Sequence, residues 1–177
     1  MQWEKLSETI QIAIDDTHRF GTDAFLLEHF AAVRGIDSVC DLCAGCGIIG
    51  LLMLRRERPP QSVTAVEIAP DAVKLMRQTA EISSLTHFAP LRGDRREIRT
   101  LLPAHSFRLV TCNPPYFPAG SGYLCPEDSR RRARHEQEES CTTGEVCDAA
   151  AWLLQYGGRF CLCQRPERLT DVLLAMR

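Results

Sequence analysis

The spacing of apolar and polar residues changes period several times along the chain, and each change marks an element. Ile10, Ile12 and Ile14 alternate with polar or small residues, the period of a strand with one buried face. Asp15 and Asp16 can turn that strand, so residues 17–20 are expected to return as a hairpin. Gly21-Thr22-Asp23 then opens a helix with Thr22 or Asp23 as its N-cap, Ala24, Leu27 and Ala31 on one face, Phe30 beside them and Gly35 at its end. A strand over 38–42 feeds Cys43-Ala44-Gly45-Cys46-Gly47. The next run, to Leu54, is apolar nearly all round and is expected to be a helix buried against a sheet. A second strand covers 62–68. Pro70 suits a first helical position and Asp71 the positive end of the helix dipole, with Val73, Met76 and Ala80 on the inner face. A short strand over 87–91 ends at Gly93-Asp94, and another over 107–112 runs into Asn113-Pro114-Pro115-Tyr116. After a long polar stretch, Thr142 and Glu145 fit a capping box. Val146, Ala149, Ala150, Leu153 and Leu154 keep helical spacing up to Gly157-Gly158. A strand over 159–164 follows, and Pro166 starts a last helix with Leu169, Val172, Leu173 and Met176 on one face.

Strands alternating with helices imply parallel crossover units and a doubly wound α/β sheet. Right-handed crossovers bring the strand ends to one edge, where such sheets bind ligands. The glycine turn at 41–47, Glu67, Gly93-Asp94 and residues 113–116 then share one crevice. Residues 1–36 form an N-terminal hairpin and helix, and 37–177 the sheet core, of one domain of 177 residues.

Composition narrows the classes. A hydrophobic fraction of 45% with 25% charged residues describes a globular protein, and no apolar run approaches the ~20 residues that span a bilayer. The net charge of −2 leaves any nucleic-acid contact to a local patch. The first residues lack the apolar core of a signal peptide. Nine cysteines, several inside strands, do not read as a disulfide framework, and a reducing cytoplasm is the expected compartment. Cys40, Cys43 and Cys46 have the spacing of a metal site, with Cys112 on the neighbouring strand. A metal in the turn would collide with a bound cofactor, and buried small hydrophobes are the preferred reading. The glycine turn alone is compatible with a dinucleotide, although it lacks the G-x-G-x-x-G spacing.

Taken together these residues resemble a class I S-adenosylmethionine-dependent methyltransferase of the Asn-Pro-Pro-Tyr group, with its Rossmann-like sheet. They are most similar to the bacterial tRNA(Val) adenine-37 N6-methyltransferase family. Phe20-Gly21-Thr22-Asp23, the turn from Asp41 to Gly47, Glu67, Asn113-Pro114-Pro115-Tyr116 and Ala133-Arg134-His135-Glu136 carry the likeness. It implies S-adenosylmethionine held by Thr22, Asp41, Cys43, Gly45, Gly47, Glu67, Ile68, Asp94 and Asn113. It also implies catalysis by Asn113, Pro114, Pro115 and Tyr116 on a planar amino group in RNA, most readily tRNA. Arg130, Arg131, Arg132 and Arg134 would contact the RNA backbone, the alternative being a solvated face. No metal is implied. The family usually has glycine where this chain has Cys43. Its fold also continues with two further strands, so the chain is expected to be C-terminally truncated, with residues 159–164 an exposed edge able to pair with a second copy. The alternatives are a glutamine-amide methyltransferase acting on protein, and a non-catalytic RNA- or partner-binding fragment.

Overall fold

The computed structural model describes residues 1–114 and 142–177. Its centre is a five-stranded parallel sheet in the order β5-β4-β3-β6-β7. The strands are β3 (Ser38–Leu42), β4 (Ser62–Glu67), β5 (Phe88–Arg92), β6 (Phe107–Cys112) and β7 (Leu154–Leu162). The chain starts in the middle, steps outward to β5, then crosses back to β6. The topological switch therefore lies between β3 and β6, beside the glycine turn. This is the doubly wound α/β arrangement expected of the class I methyltransferase fold.

One layer over the sheet holds α1 (Thr22–Ala31), α2 (Ile48–Leu54) and α3 (Pro70–Ile82), the other α4 (Ile98–Leu101) and α5 (Thr143–Leu153). A last helix, α6, spans Leu169–Ala175. The two layers form separate apolar clusters, and alternate residues of a strand feed each. Val39 joins the first cluster, Cys40 and Leu42 the second. Among the described helices α2 is the most deeply buried, with Leu51, Leu52 and Met53 wholly inaccessible. Each such side chain contributes about 1.5–3 kcal/mol relative to exposure.

The N-terminal hairpin is real, but its strands differ from those expected. β1 (Gln2–Lys5) pairs antiparallel with β2 (Gln11–Ile14), and residues 17–20 do not return as a strand. Asp15 instead accepts bonds from the amides of Thr17 and His18, a side-chain-closed turn. The buried amide of Ala13 donates to Thr79 of α3, and Ile10, Ile12 and Ile14 enter the first core cluster.

Helix boundaries bring further corrections. The N-cap of α1 is Gly21, with no side-chain capping bond, so neither Thr22 nor Asp23 caps it. The helix ends at Ala32, left-handed with φ 44°, three residues before Gly35. Arg159 of β7 donates to the carbonyls of Ala31 and Ala32 and pairs with buried Asp37 at 2.7 Å, closing the open end of α1. At the far end, α5 stops at Leu153 and β7 begins at once. Phe107 lies opposite Leu154 but Leu109 opposite Arg159, so β7 carries a bulge, with Gly157 at φ 74°. The capping box of Thr142 and Glu145 and the placing of Pro70 in the first turn of α3 are as expected.

Candidate active site

Four strand tips converge at the carboxyl edge of the sheet. β3 ends in the turn whose residues Cys43, Gly45 and Gly47 all have positive φ, at 56°, 56° and 82°. The turn is stitched to its surroundings by Ala44 N–H on the Val66 carbonyl and Gly47 N–H on the Ala44 carbonyl. The three positions differ in what they tolerate. At Gly47 a Cβ would stand 2.8 Å from the ring of Phe88 and 3.0 Å from the Met76 sulfur. Gly47→Ala adds this overlap to an unfavourable φ and is expected to destabilise the protein by about 2–4 kcal/mol in denaturant unfolding. At Gly45 a Cβ would meet nothing within 4 Å, so the turn opens onto space there. Cys43 occupies, strained, the position where the resembled family has glycine. Cys43→Gly should therefore raise stability by roughly 0.5–1 kcal/mol, and a lowered melting temperature would show that the thiol's packing outweighs the strain.

Glu67 closes β4. Its carboxylate is buried at 6% exposure and spans the crevice wall, accepting from Gly45 N–H at 2.8 Å and Ala69 N–H at 3.0 Å. The next residue, Ile68, is exposed at the same edge. Asp41 lies one step below the turn, wholly buried. Its Oδ1 accepts from the Thr111 hydroxyl at 2.6 Å, and its Oδ2 is buried without a hydrogen-bond partner among the described residues. Burial pushes its carboxyl up to about 7, the Glu67 charge adds to that, and the Thr111 bond opposes it. Asp94, after β5, caps the 3₁₀ turn Arg95–Glu97 through Arg96 N–H at 2.9 Å. Its other oxygen holds the Arg96 guanidinium, and that pairing keeps its carboxyl below the usual range.

Asn113 follows β6 directly, half-buried. Its Nδ2 donates to Oδ2 of Asp23 at 2.7 Å, joining residues ninety positions apart. Pro114, buried, lines a small cleft with Thr142, Thr143, Val146, Leu162 and Gln164. Arg95, nearly buried, bonds the capping Glu145 at 2.7 Å and so ties the β5 tip to α5. Thr22 is exposed in the first turn of α1. Pro115, Tyr116, Arg130, Arg131, Arg132, Arg134 and the stretch 133–136 lie outside the described residues.

Among the described residues, then, Asp41, Cys43, Gly45, Gly47, Glu67, Ile68, Asp94, Asn113 and Pro114 stand at one sheet edge, and Asp23 brings the first turn of α1 to it. Asp23 and Thr111 are the partners that sequence reasoning missed. Gly21 was the available signal for Asp23: a glycine at the cap position leaves the aspartate inside the helix with its carboxylate uncommitted to capping. The cysteines divide between layers, Cys40 and Cys112 in one cluster and Cys46 in the other. Burial pushes the Cys46 thiol up to about 12 and Cys40 well above its ordinary value. No group of three or more His, Cys, Asp or Glu side chains is placed to hold a metal among the described residues.

The profile of the methyltransferase small domain matches residues 16–123, the stretch that holds the turn and residues 113–116. The chain belongs to the methyltransferase small domain family. As such a domain it is 33% identical over 144 residues to the tRNA1(Val) (adenine(37)-N6)-methyltransferase of Tolumonas auensis. That alignment covers 81% of this chain and 58% of the relative. It is 30% identical to the enzyme of the same name from Erwinia tasmaniensis, over 81% of this chain and 57% of the relative. The chain thus spans somewhat more than half the length of these relatives. TrmN from Thermus thermophilus superposes with a TM-score of 0.64 at 23% identity, over 87% of this methyltransferase small domain and 40% of that chain. Precorrin-6y C5,15-methyltransferase from Geobacter metallireducens does so at 0.64 and 14%, over 93% and 74%. Both share its fold. No helix among the described residues is long and apolar enough to cross a membrane.

Proposed function

We propose that this chain methylates the N6 amino nitrogen of an adenine in tRNA, using S-adenosylmethionine, in the cytoplasm. The observation that carries the reading is the amide of Asn113. A carboxylate can only accept, so the bond to Asp23 fixes which end of the amide is NH2 and sets Oδ1 on the opposite side. Oδ1 and the Pro114 carbonyl are then two acceptors for the two hydrogens of a planar amino group. Holding both hydrogens favours a pyramidal nitrogen and directs its lone pair, which is otherwise delocalised into the purine. Positioning supplies most of the rate. No strong base is needed, because the proton becomes acidic only as the N–C bond forms, and either acceptor can hold it before it passes to water.

The residues at the crevice fit the cofactor. Gly45 presents open space, and an acidic group stands at the adjacent strand end, as ribose recognition requires. The buried, unpartnered oxygen of Asp41 suits a cationic neighbour. Glu67, whose oxygens each keep a second lone pair beside the backbone bonds, would accept from the ribose hydroxyls. Ile68 offers an apolar surface, Asp94 an acceptor for the adenine amino group, and Thr22, Cys43, Gly47 and Asp41 surround the methionyl end. Bound there, the cofactor supplies an electrophilic methyl group on a positively charged sulfur. Tyr116 would stack on the displaced base, with Pro115 stiffening its approach, and Arg130, Arg131, Arg132 and Arg134 would meet RNA phosphates. The names of the relatives support adenine in tRNA as the acceptor.

The test is incubation of purified protein with isotopically labelled cofactor and either bulk tRNA or bulk protein. Labelled N6-methyladenosine among the digested nucleosides is the expected product. Label on glutamine amides, or on nothing, contradicts the reading.

A further inference from the structure

We propose that Asp23 is a positioning residue for the reaction, acting through Asn113; the inference rests on the functional reading above. The contact is built rather than incidental. Asp23 occupies the first turn of α1, where a carboxylate ordinarily serves the helix N-terminus, yet α1 has no side-chain cap and the carboxylate reaches Asn113 at 2.7 Å. Room for that conformation comes from Gly21, because a Cβ there would fall 2.6 Å from Asp23 Oδ1. A glycine cap is somewhat weaker for the helix than Ser, Asp or Asn. The local sequence therefore sacrifices some helix stability and gains an oriented carboxylate.

Orientation matters because the two ends of an asparagine amide are almost the same size but opposite in hydrogen-bonding sense. Turned over, Asn113 would present NH2 to an amino group, donor against donor. Asp23 selects the acceptor-forward orientation by electrostatics and holds it before substrate arrives. It also makes the contact a latch between the first turn of α1 and the tip of β6.

Four variants test this: Asp23→Ala, Asp23→Asn, Asn113→Asp and the exchange D23N/N113D. In Asp23→Ala, kcat is expected to fall about 10- to 100-fold, the range for lost alignment at a reacting group, with cofactor affinity changed less than about twofold. The side-chain amide signal of Asn113 in the ligand-free protein should shift in its nitrogen–proton NMR spectrum, a readout independent of turnover. Asp23→Asn keeps an acceptor without its charge and should lose less than the alanine variant. Asn113→Asp sets two carboxylates in contact and should be impaired further. The exchange restores a donor–acceptor pair with roles reversed, and should recover at least about tenfold over Asn113→Asp alone. Wild-type kcat and an unmoved Asn113 signal in Asp23→Ala would overturn the proposal, as would an exchange variant no better than Asn113→Asp. A wild-type chain inactive on tRNA is a different result, and overturns the functional reading itself.

Discussion

Asn113→Ala is expected to reduce methyl transfer to tRNA by about a thousandfold, through kcat, at the upper end of what removal of one preorganised polar group costs. The size follows from the role proposed for Asn113. One of two acceptors for the target amino group disappears, and with it the directed lone pair. The Pro114 carbonyl remains but holds only one hydrogen. Folding should be little affected, since Asn113 is half-buried and the lost bond to Asp23 is worth on the order of 1–2 kcal/mol. Cofactor binding, measured by calorimetry, should weaken by no more than a few-fold, because Asn113 is one of several residues expected to hold the cofactor and Glu67 and the glycine turn are untouched. An alanine variant with unaltered kcat would remove the chemical rationale for the site, and loss of cofactor binding alongside activity would make Asn113 chiefly a cofactor contact.

The second large effect is on stability and follows from Asp41. Its carboxyl titrates near 7 in the folded protein against 3.8 for the unperturbed group. Between these values the unfolded chain releases the proton while the folded protein retains it, so folding takes up a proton and stability falls as pH rises. The stabilisation is fully present below pH ~4 and lost as pH passes through about 7. A separation of about 3 pH units corresponds to on the order of 4 kcal/mol. Asp15, Asp94 and Glu145 have lowered carboxyls and act in the opposite sense, losing stability as pH falls below about 4. The difference between wild type and Asp41→Asn isolates the one group. In denaturant titrations from pH 4 to 8, the variant should hold stability that the wild type loses over this window. Parallel curves would show that Asp41 is not proton-linked to folding. The same linkage reaches the site: a cation beside Asp41 favours the carboxylate, so cofactor binding should release a proton and tighten with pH up to about 7.

Both effects depend on contacts that periodicity cannot display. Strands β3 and β6 were legible to the residue, because short apolar runs bounded by turn chemistry leave little freedom. So were the proline start of α3 and the capping box of α5, which are local by nature. β1 was invisible because all four of its residues are exposed and present no apolar face to read. β7 was legible only in its second half. Leu154 continues the helical spacing of α5, and the bulge around Gly157 hides where the strand begins. The crevice could be assembled from strand ends alone, but the partners inside it could not. Thr111 and Asp23 lie 70 and 90 positions from the groups they bond, and only the sheet register and the path of α1 bring them there.

In the proposed reaction a methyl donor and an amino acceptor meet between the glycine turn and Asn113. A crystal structure with S-adenosylhomocysteine and adenosine monophosphate bound tests it most directly. The ribose hydroxyls are expected on Glu67, the cofactor sulfur beside the turn at Gly45, and the adenine amino group on Asn113 Oδ1 and the Pro114 carbonyl. A cofactor seated away from Gly45, or an adenine whose amino group does not reach Asn113, would contradict it.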